Sequence, residues 1–247
     1  MQNTEQINTK GEKKLFFSIV IPAHNEALYI ENTLNKIELL EYTKELYEVI
    51  VIENGSKDDT YNIAKKFEIG NIHIFTSPKK GISPAKNLGI EKINTKSDWT
   101  VFLDADTVLE KNFLIDLNNF LIKDLGEIYS VGTTKIKPFP ASKKANRWFA
   151  FYDLGHKFTK TSYAIQIIKS KLLSKVHFRE DLDMGEDLKF IDEARKFGKF
   201  FFLETDEVYT SIRRFEKEGW WHIFIYWNFV ALLPDKLKRK FIYKVVR

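Results

Sequence analysis

The first half of the chain alternates between short unbroken apolar runs and segments whose apolar residues recur three and four apart. The runs are FFSIVI (Phe16–Ile21), YEVIVI (Tyr47–Ile52), NIHIF (Asn71–Phe75) and WTVFL (Trp99–Leu103). Each is rich in β-branched or aromatic residues and bounded by turn residues, which predicts buried strands. Between them, Ala27, Ile30, Leu34, Ile37 and Leu40 have helical spacing, and Thr60–Phe67 puts Ile63, Ala64 and Phe67 on one side. The loop SPKKGISPAKNLG runs into a helix ending near Ile93, and Leu109–Ile122 predicts another helix. After about Tyr129 the alternation stops. Lys135–Lys175 is expected to be less regular, followed by a helix over Glu186–Phe197 and a strand over Lys199–Leu203.

Continuous apolar strands alternating with amphipathic helices predict an α/β fold, with a mostly parallel sheet covered on both faces. Ligands on such sheets lie at the C-terminal strand ends. Three polar stretches fall there: PAHNE after the first strand, ENGS after the second and DAD after the fourth.

Composition narrows the field. The 247 residues are 44% hydrophobic and 30% charged, a globular balance with length for a sizeable core. With no cysteine, disulfides, zinc–thiolate centres and cysteine nucleophiles are excluded. The net charge of +5 resides in Asp235–Arg247, which holds six Lys/Arg against one Asp. The remainder is neutral, so the basic balance does not indicate nucleic acid; it raises the question of an anionic membrane. The polar start reads as a frayed lead-in rather than a signal peptide, and no apolar stretch reaches spanning length.

Each polar stretch has a bland and a chemical reading. Asp104 and Asp106 flank Ala105 at a strand end, either as a solvated acidic turn or as ligands of a hard cation that offsets their repulsion. In Glu53-Asn54-Gly55-Ser56-Lys57-Asp58, Gly55 permits a turn and Ser56 or Asp58 caps a helix. Glu53 or Asn54 could also bond a nucleobase or ribose. Lys79–Gly89 joins a basic loop to a helix N-terminus, which suits phosphate or a solvated lysine pair. Glu186 and Asp187 open a helix, where the macrodipole favours acids; the alternative is Asp187 as general base. Arg213 and Arg214 are a surface pair or a diphosphate clamp.

SIVIPAHNE, VIENGSKDDT, KKGISPAKNLG, VFLDADT and GEDL occur together in an order and spacing that resemble family 2 glycosyltransferases, the inverting enzymes with a GT-A fold. The resemblance covers Phe16–Thr107 and resumes over Leu182–Trp221. It implies a Rossmann-like GT-A sheet with a mixed C-terminal acceptor region. Pro22, Ala23, Glu26, Glu53, Asn54, Lys86, Asn87, Asp104 and Ala105 would bind the nucleotide sugar, joined by Arg213 and Arg214. Asp104 and Asp106 would hold Mn²⁺ or Mg²⁺, and Asp187, with Glu186, would be catalytic. Glu53-Asn54 departs from the common Asp-Asp pair. FTKTSYAIQIIKSKLL lacks the glycines found before the acidic pair in many relatives, so the resemblance implies nothing about which sugar is used.

The expected organisation is a flexible lead-in (1–14), one domain (15–234) and a basic tail (235–247). The domain divides into a nucleotide-sugar half (15–128) and an acceptor half (129–234). The implied partners are a nucleoside-diphosphate sugar and a glycan or lipid-linked acceptor. WWHIFIYWNFVALL (Trp220–Leu233) suits a core helix or an interfacial one. The expected location is cytoplasmic; peripheral contact with the inner membrane face through 220–247 goes with the second reading. A non-catalytic nucleotide-sugar-binding module is the alternative function, disfavoured by the intact Asp104, Asp106 and Asp187. A nucleotidyltransferase would carry a Gly-rich loop after the first strand, which PAHNE is not.

Overall fold

The structure, a computed structural model, describes residues 14–124, 126–182 and 184–238. The lead-in up to 13 and the tail from 239 therefore lie outside the described residues. The strands are β1 (Phe17–Ala23), β2 (Tyr47–Glu53), β3 (Ile72–Thr76), β4 (Trp99–Leu103), β5 (Thr107–Leu109), β6 (Tyr129–Thr134), β7 (Lys137–Phe139), β8 (Ile165–Lys169), β9 (Lys199–Leu203) and β10 (Val208–Ser211). The helices are α1 (Ile30–Glu38), α2 (Thr60–Lys65), α3 (Ile82–Lys92), α4 (Phe113–Leu121), α5 (Lys143–Thr159), α6 (Glu186–Ala194), α7 (Arg213–Glu218), α8 (Trp220–Leu232) and α9 (Asp235–Lys238).

Seven strands form one sheet in the order β3-β2-β1-β4-β8-β6-β9. β8 alone runs against the others, pairing antiparallel with β4 and β6. The sheet is thus mostly parallel, and its helices lie on both faces. Residue parity explains the two faces. Ile19, Ile21, Val49 and Val51 point into one core with Ile30, Leu34 and Ile37 of α1 and Leu114 and Leu117 of α4. Val20, Ile50 and Phe102 point into the other with Ala85 of α3 and Phe190 of α6. Gly89 lets α3 lie on β1: a Cβ there would fall 2.3 Å from Val20 Cγ1.

Two expectations change. Leu109 belongs to β5, not to a helix, because its pairing with Val208 in the small β5-β10-β7 sheet requires extended backbone. The helix begins at Phe113. Lys135–Lys175 is ordered: it holds β7, the 17-residue α5 and β8. Ser142 caps α5 by accepting from Ala145 N, and Ala145, Phe149 and Tyr152 supply its buried face. The exposed aromatics on its other side hid that periodicity. Among the described residues no helix is long and apolar enough to cross a membrane.

Candidate active site

β1 lies between β2 and β4, where strand order reverses, so the ends of these three parallel strands frame the crevice at the switch point. Ala23 pairs with Glu53, and Asn54 N donates to Ala23 O at 2.9 Å. Pro22 is half-buried just before it. Asn25 takes a left-handed φ of 56°. It accepts from Lys57 N at 2.8 Å, while Glu26 N meets Thr60 Oγ1 at 2.7 Å. These bonds button PAHNE onto the ENGS turn.

The three-residue step from Asp104 is a turn rather than a strand extension. Thr107 N donates to Asp104 O at 2.9 Å, Asp104 N to Ala164 O at 2.9 Å, and Thr33 Oγ1 to the buried Ala105 O at 2.8 Å. Arg213, at the start of α7, joins this turn to PAHNE. Its Nε lies 3.1 Å from Asp106 Oδ2 and its Nη2 2.5 Å from Glu26 Oε1, with the guanidinium 4.3 Å above the Tyr29 ring. Glu26 Oε2 is buried without a hydrogen-bond partner. Burial pushes Glu26 up to about 7 against the pull of Arg213. Burial likewise lifts Asp104 to about 6, with Lys86 opposing and Asp106 and Asp187 adding. Asp106 is raised by burial, with Arg213 opposing.

A second acidic group adjoins the first. Gly185, at a φ of 78°, turns the chain into α6 and presents Glu186 and Asp187. Lys86 is buried on α3. Its Nζ donates to Gln166 Oε1 at 3.2 Å, lies 3.8 Å from Glu186 Oε1 and sits 4.7 Å over the Phe178 ring. Burial raises Glu186 and Asp187, and Lys86 opposes it in both. Lys238 of α9 is buried beside Gly185 and also acts on Asp187. This part of the basic tail therefore folds against the acids.

The other expected residues occupy neighbouring positions. Glu53 Oε1 accepts from Ser56 N at 2.5 Å, closing its own turn. Asn54 Nδ2 donates to Gly81 O at 2.5 Å, and its Oδ1 is buried without a partner. Asn87 clamps the 178–180 segment, accepting from Phe178 N and donating to Phe178 O, each at 2.9 Å. Arg214 Nη1 lies 3.4 Å from Glu218. Glu26, Asp104, Asp106 and Arg213 are thus brought together, as are Asp104, Lys86, Glu186 and Asp187. Tyr29, Gln166 and Lys238 were missed. Gln166 left a trace, a polar residue inside the apolar run IQIIK.

Among the described residues no three His, Cys, Asp or Glu side chains gather as a ready-made metal cage. Asp104 and Asp106 nevertheless suit a divalent ion of the Mg²⁺ or Mn²⁺ type, which takes one or two carboxylates and completes its shell with water and phosphate oxygens. Burial makes their ionisation costly despite Lys86 and Arg213, and a cation beside them offsets that cost.

The profile described as Glycosyl transferase family 2 matches residues 18–181. Poly(ribitol-phosphate) beta-N-acetylglucosaminyltransferase TarS of Staphylococcus aureus is 22% identical over 82% of this chain and 36% of its own length. Its crystal structure with UDP-GlcNAc superposes with a TM-score of 0.67 at 20% identity, covering 91% of this chain and 69% of that one. A dolichyl N-acetyl-alpha-D-glucosaminyl phosphate 3-beta-D-2,3-diacetamido-2,3-dideoxy-beta-D-glucuronosyltransferase of Methanococcus voltae is 28% identical over 82% of this chain and 70% of its own. Mannosyltransferase PcManGT from Pyrobaculum calidifontis, solved with GDP-Man and Mn²⁺, gives a TM-score of 0.64 at 17% identity, covering 84% of this chain and 60% of that one. These neighbours establish the GT-A fold. The chain spans 30% and 36% of the first two curated relatives it matches.

Proposed function

The chain belongs to glycosyl transferase family 2, and on that premise we propose that it moves a sugar from a nucleoside-diphosphate donor to an acceptor hydroxyl, inverting the anomeric carbon. The acceptor is a cell-surface glycan or glycolipid. The observation that carries the reading is the junction at Asp104 of two acidic groups, one tied by Arg213 and the other gathered around Lys86.

Asp104 and Asp106 would hold Mn²⁺ or Mg²⁺ beside the donor diphosphate. When bound, the ion neutralises charge on the departing phosphate oxygens. Arg213 and Arg214 add charge-assisted hydrogen bonds to the same oxygens, a preorganised electrostatic contribution. Pro22, Ala23, Glu26, Glu53, Asn54 and Ala105 line the nucleotide side, where the unpartnered Asn54 Oδ1 offers an acceptor to a base or ribose donor. Lys86 holds the charge of the acids, and Asn87 fixes the segment leading to them.

Asp187 takes the proton of the acceptor hydroxyl as that oxygen attacks C1 from the face opposite the diphosphate. The C1–O bond breaks and the nucleoside diphosphate leaves. An upward-shifted carboxylate is suited to this step; burial raises Asp187, and Asp187 in turn helps raise Glu186. TarS bound to UDP-GlcNAc and PcManGT bound to GDP-Man and Mn²⁺ support a nucleotide-sugar donor and a divalent ion. Relatives named for poly(ribitol-phosphate) and for a dolichyl phosphate-linked sugar support a surface or lipid-linked acceptor. Peripheral membrane contact belongs to the same reading.

Asp187→Asn tests the reading. Transfer, followed as sugar-nucleotide turnover with Mn²⁺, should fall by roughly 10²–10⁴-fold. The melting shift on adding the nucleotide sugar should persist. Equal loss of turnover and binding would remove Asp187 from the base role.

A further inference from the structure

α5 and α8 expose one joined apolar face. On α5, Phe151, Leu154 and Phe158 recur at helical spacing, on the side away from the buried Ala145, Phe149 and Tyr152. On α8, Trp221, Ile225 and Leu232 lie opposite the buried Trp220, Ile223 and Val230. All six are at least 50% exposed. The two stripes meet along a seam: Trp148 packs edge-on against Trp221 at 4.8 Å between ring centres, and Phe151 against Phe224 at 5.4 Å. Single exposed apolar residues are ordinary on soluble proteins, but a contiguous group of this size marks an interaction surface.

Charge selects the occupant. Lys144 and Arg147 continue the Phe151–Leu154–Phe158 side of α5 toward its N-terminus, at the same helical spacing. The helix has one acid, Asp153, and it is buried on the other side. α8 has no acid, lysine or arginine. At the basic end, a cavity of about 590 Å³ opens between α5 and the α7–α8 junction, lined by Trp148, Trp220, Trp221, Ser142, Lys144 and Glu216 among others. Lys144 Nζ sits 5.2 Å above the Trp220 ring. Aromatic and aliphatic side chains in one stripe, with cations at its end, fit the boundary between headgroups and acyl chains.

We propose that the α5–α8 face docks on an anionic lipid bilayer, the apolar stripes entering the interface and the Lys144 cavity receiving a headgroup phosphate. This places the membrane contact on the folded domain rather than on the basic tail. It deepens the lipid-side reading of the acceptor given above. α7 runs from Arg213 to Glu218, so the Arg213 end of the site lies within roughly 10 Å, along the chain, of Trp220 in the lining of the Lys144 cavity.

The test uses the full chain and extruded vesicles, one set of equal phosphatidylglycerol and phosphatidylcholine, the other of phosphatidylcholine alone. Co-sedimentation should favour the anionic vesicles at least tenfold and weaken as salt rises. Phe151→Glu with Phe158→Glu, or Ile225→Glu with Leu232→Glu, should reduce binding at least tenfold. These side chains face solvent, so the melting temperature should hold. Lys144→Glu with Arg147→Glu should abolish the preference for anionic lipid. Undiminished binding by the apolar-to-glutamate variants would overturn the proposal, as would equal binding to both vesicle types. A concentration-dependent dimer that these variants break, without vesicle binding, would assign the face to a second copy instead. Sugar-nucleotide turnover without vesicles reports separately on the glycosyltransferase reading, and these variants should leave it unchanged.

Discussion

Arg213 reaches Glu26 across 187 residues of chain and Asp106 beside it, and the Tyr29 ring fixes the plane of its fork. Both arginines were legible as a basic pair, but only the tertiary contacts distinguish them: Arg213 bonds Glu26 and Asp106, while Arg214 pairs with Glu218 and adds its charge beside Asp106. A second residue-scale feature lies behind the site. His156 pairs through Nδ1 with Thr161 Oγ1 at 2.7 Å, and its Nε2 is buried without a partner. Burial pushes its pKa down from 6.5 to about 4. The unfolded chain therefore binds a proton below pH 6.5 that the folded chain refuses until about pH 4. Stability from this group is complete above 6.5 and declines as pH falls through that window, by roughly 3 kcal/mol in all. His156→Gln removes the dependence. The melting-temperature advantage of the unaltered protein over the variant should shrink between pH 6.5 and 4.5; parallel curves would contradict it. Neither the burial of His156 nor its company, Tyr152 and Tyr163, shows in the sequence, because the three come together only when α5 closes on the 161–164 segment.

At the scale of elements, β1 to β4 and α1 to α3 were readable because strand period, helix period and turn residues are local properties. α5 was not. Its buried residues are few and include Asp153, while its exposed side carries Phe151, Leu154 and Phe158, so the contrast that reveals amphipathicity is weakened. β5 was misread because three residues are too short for a periodic signal, and a partner 99 residues away makes it a strand. α3 offers a direct test of element packing. Gly89→Ala would drive a methyl to 2.3 Å from Val20 Cγ1, so α3 must shift off β1. A loss of about 1–3 kcal/mol is expected, read as a lower urea midpoint. An unchanged midpoint would mean that the helix–strand contact is slack.

The molecule as a whole joins the acidic groups by its sheet order. β4 places Asp104 beside β1, and β8 brings Gln166 to Lys86. Ligand linkage provides the whole-molecule test. UDP- or GDP-sugar with Mn²⁺ should raise the melting temperature, by the equivalent of about 2.7 kcal/mol at a hundred times the dissociation constant. Asp104→Asn with Asp106→Asn should erase the metal-dependent part of that shift. A full shift in the double variant would place the ion elsewhere. The sequence by itself determined the four leading strands, the polar stretches at their ends and the family they resemble, since each is written within a few consecutive residues. The tertiary structure alone decided that β8 runs backwards between β4 and β6, that Arg213 bonds both Glu26 and Asp106, that Lys86 and Lys238 are buried among acids and that α5 shares its apolar face with α8. Those outcomes depend on contacts between residues tens to nearly two hundred positions apart. Periodicity along the chain carries no record of which distant surfaces meet.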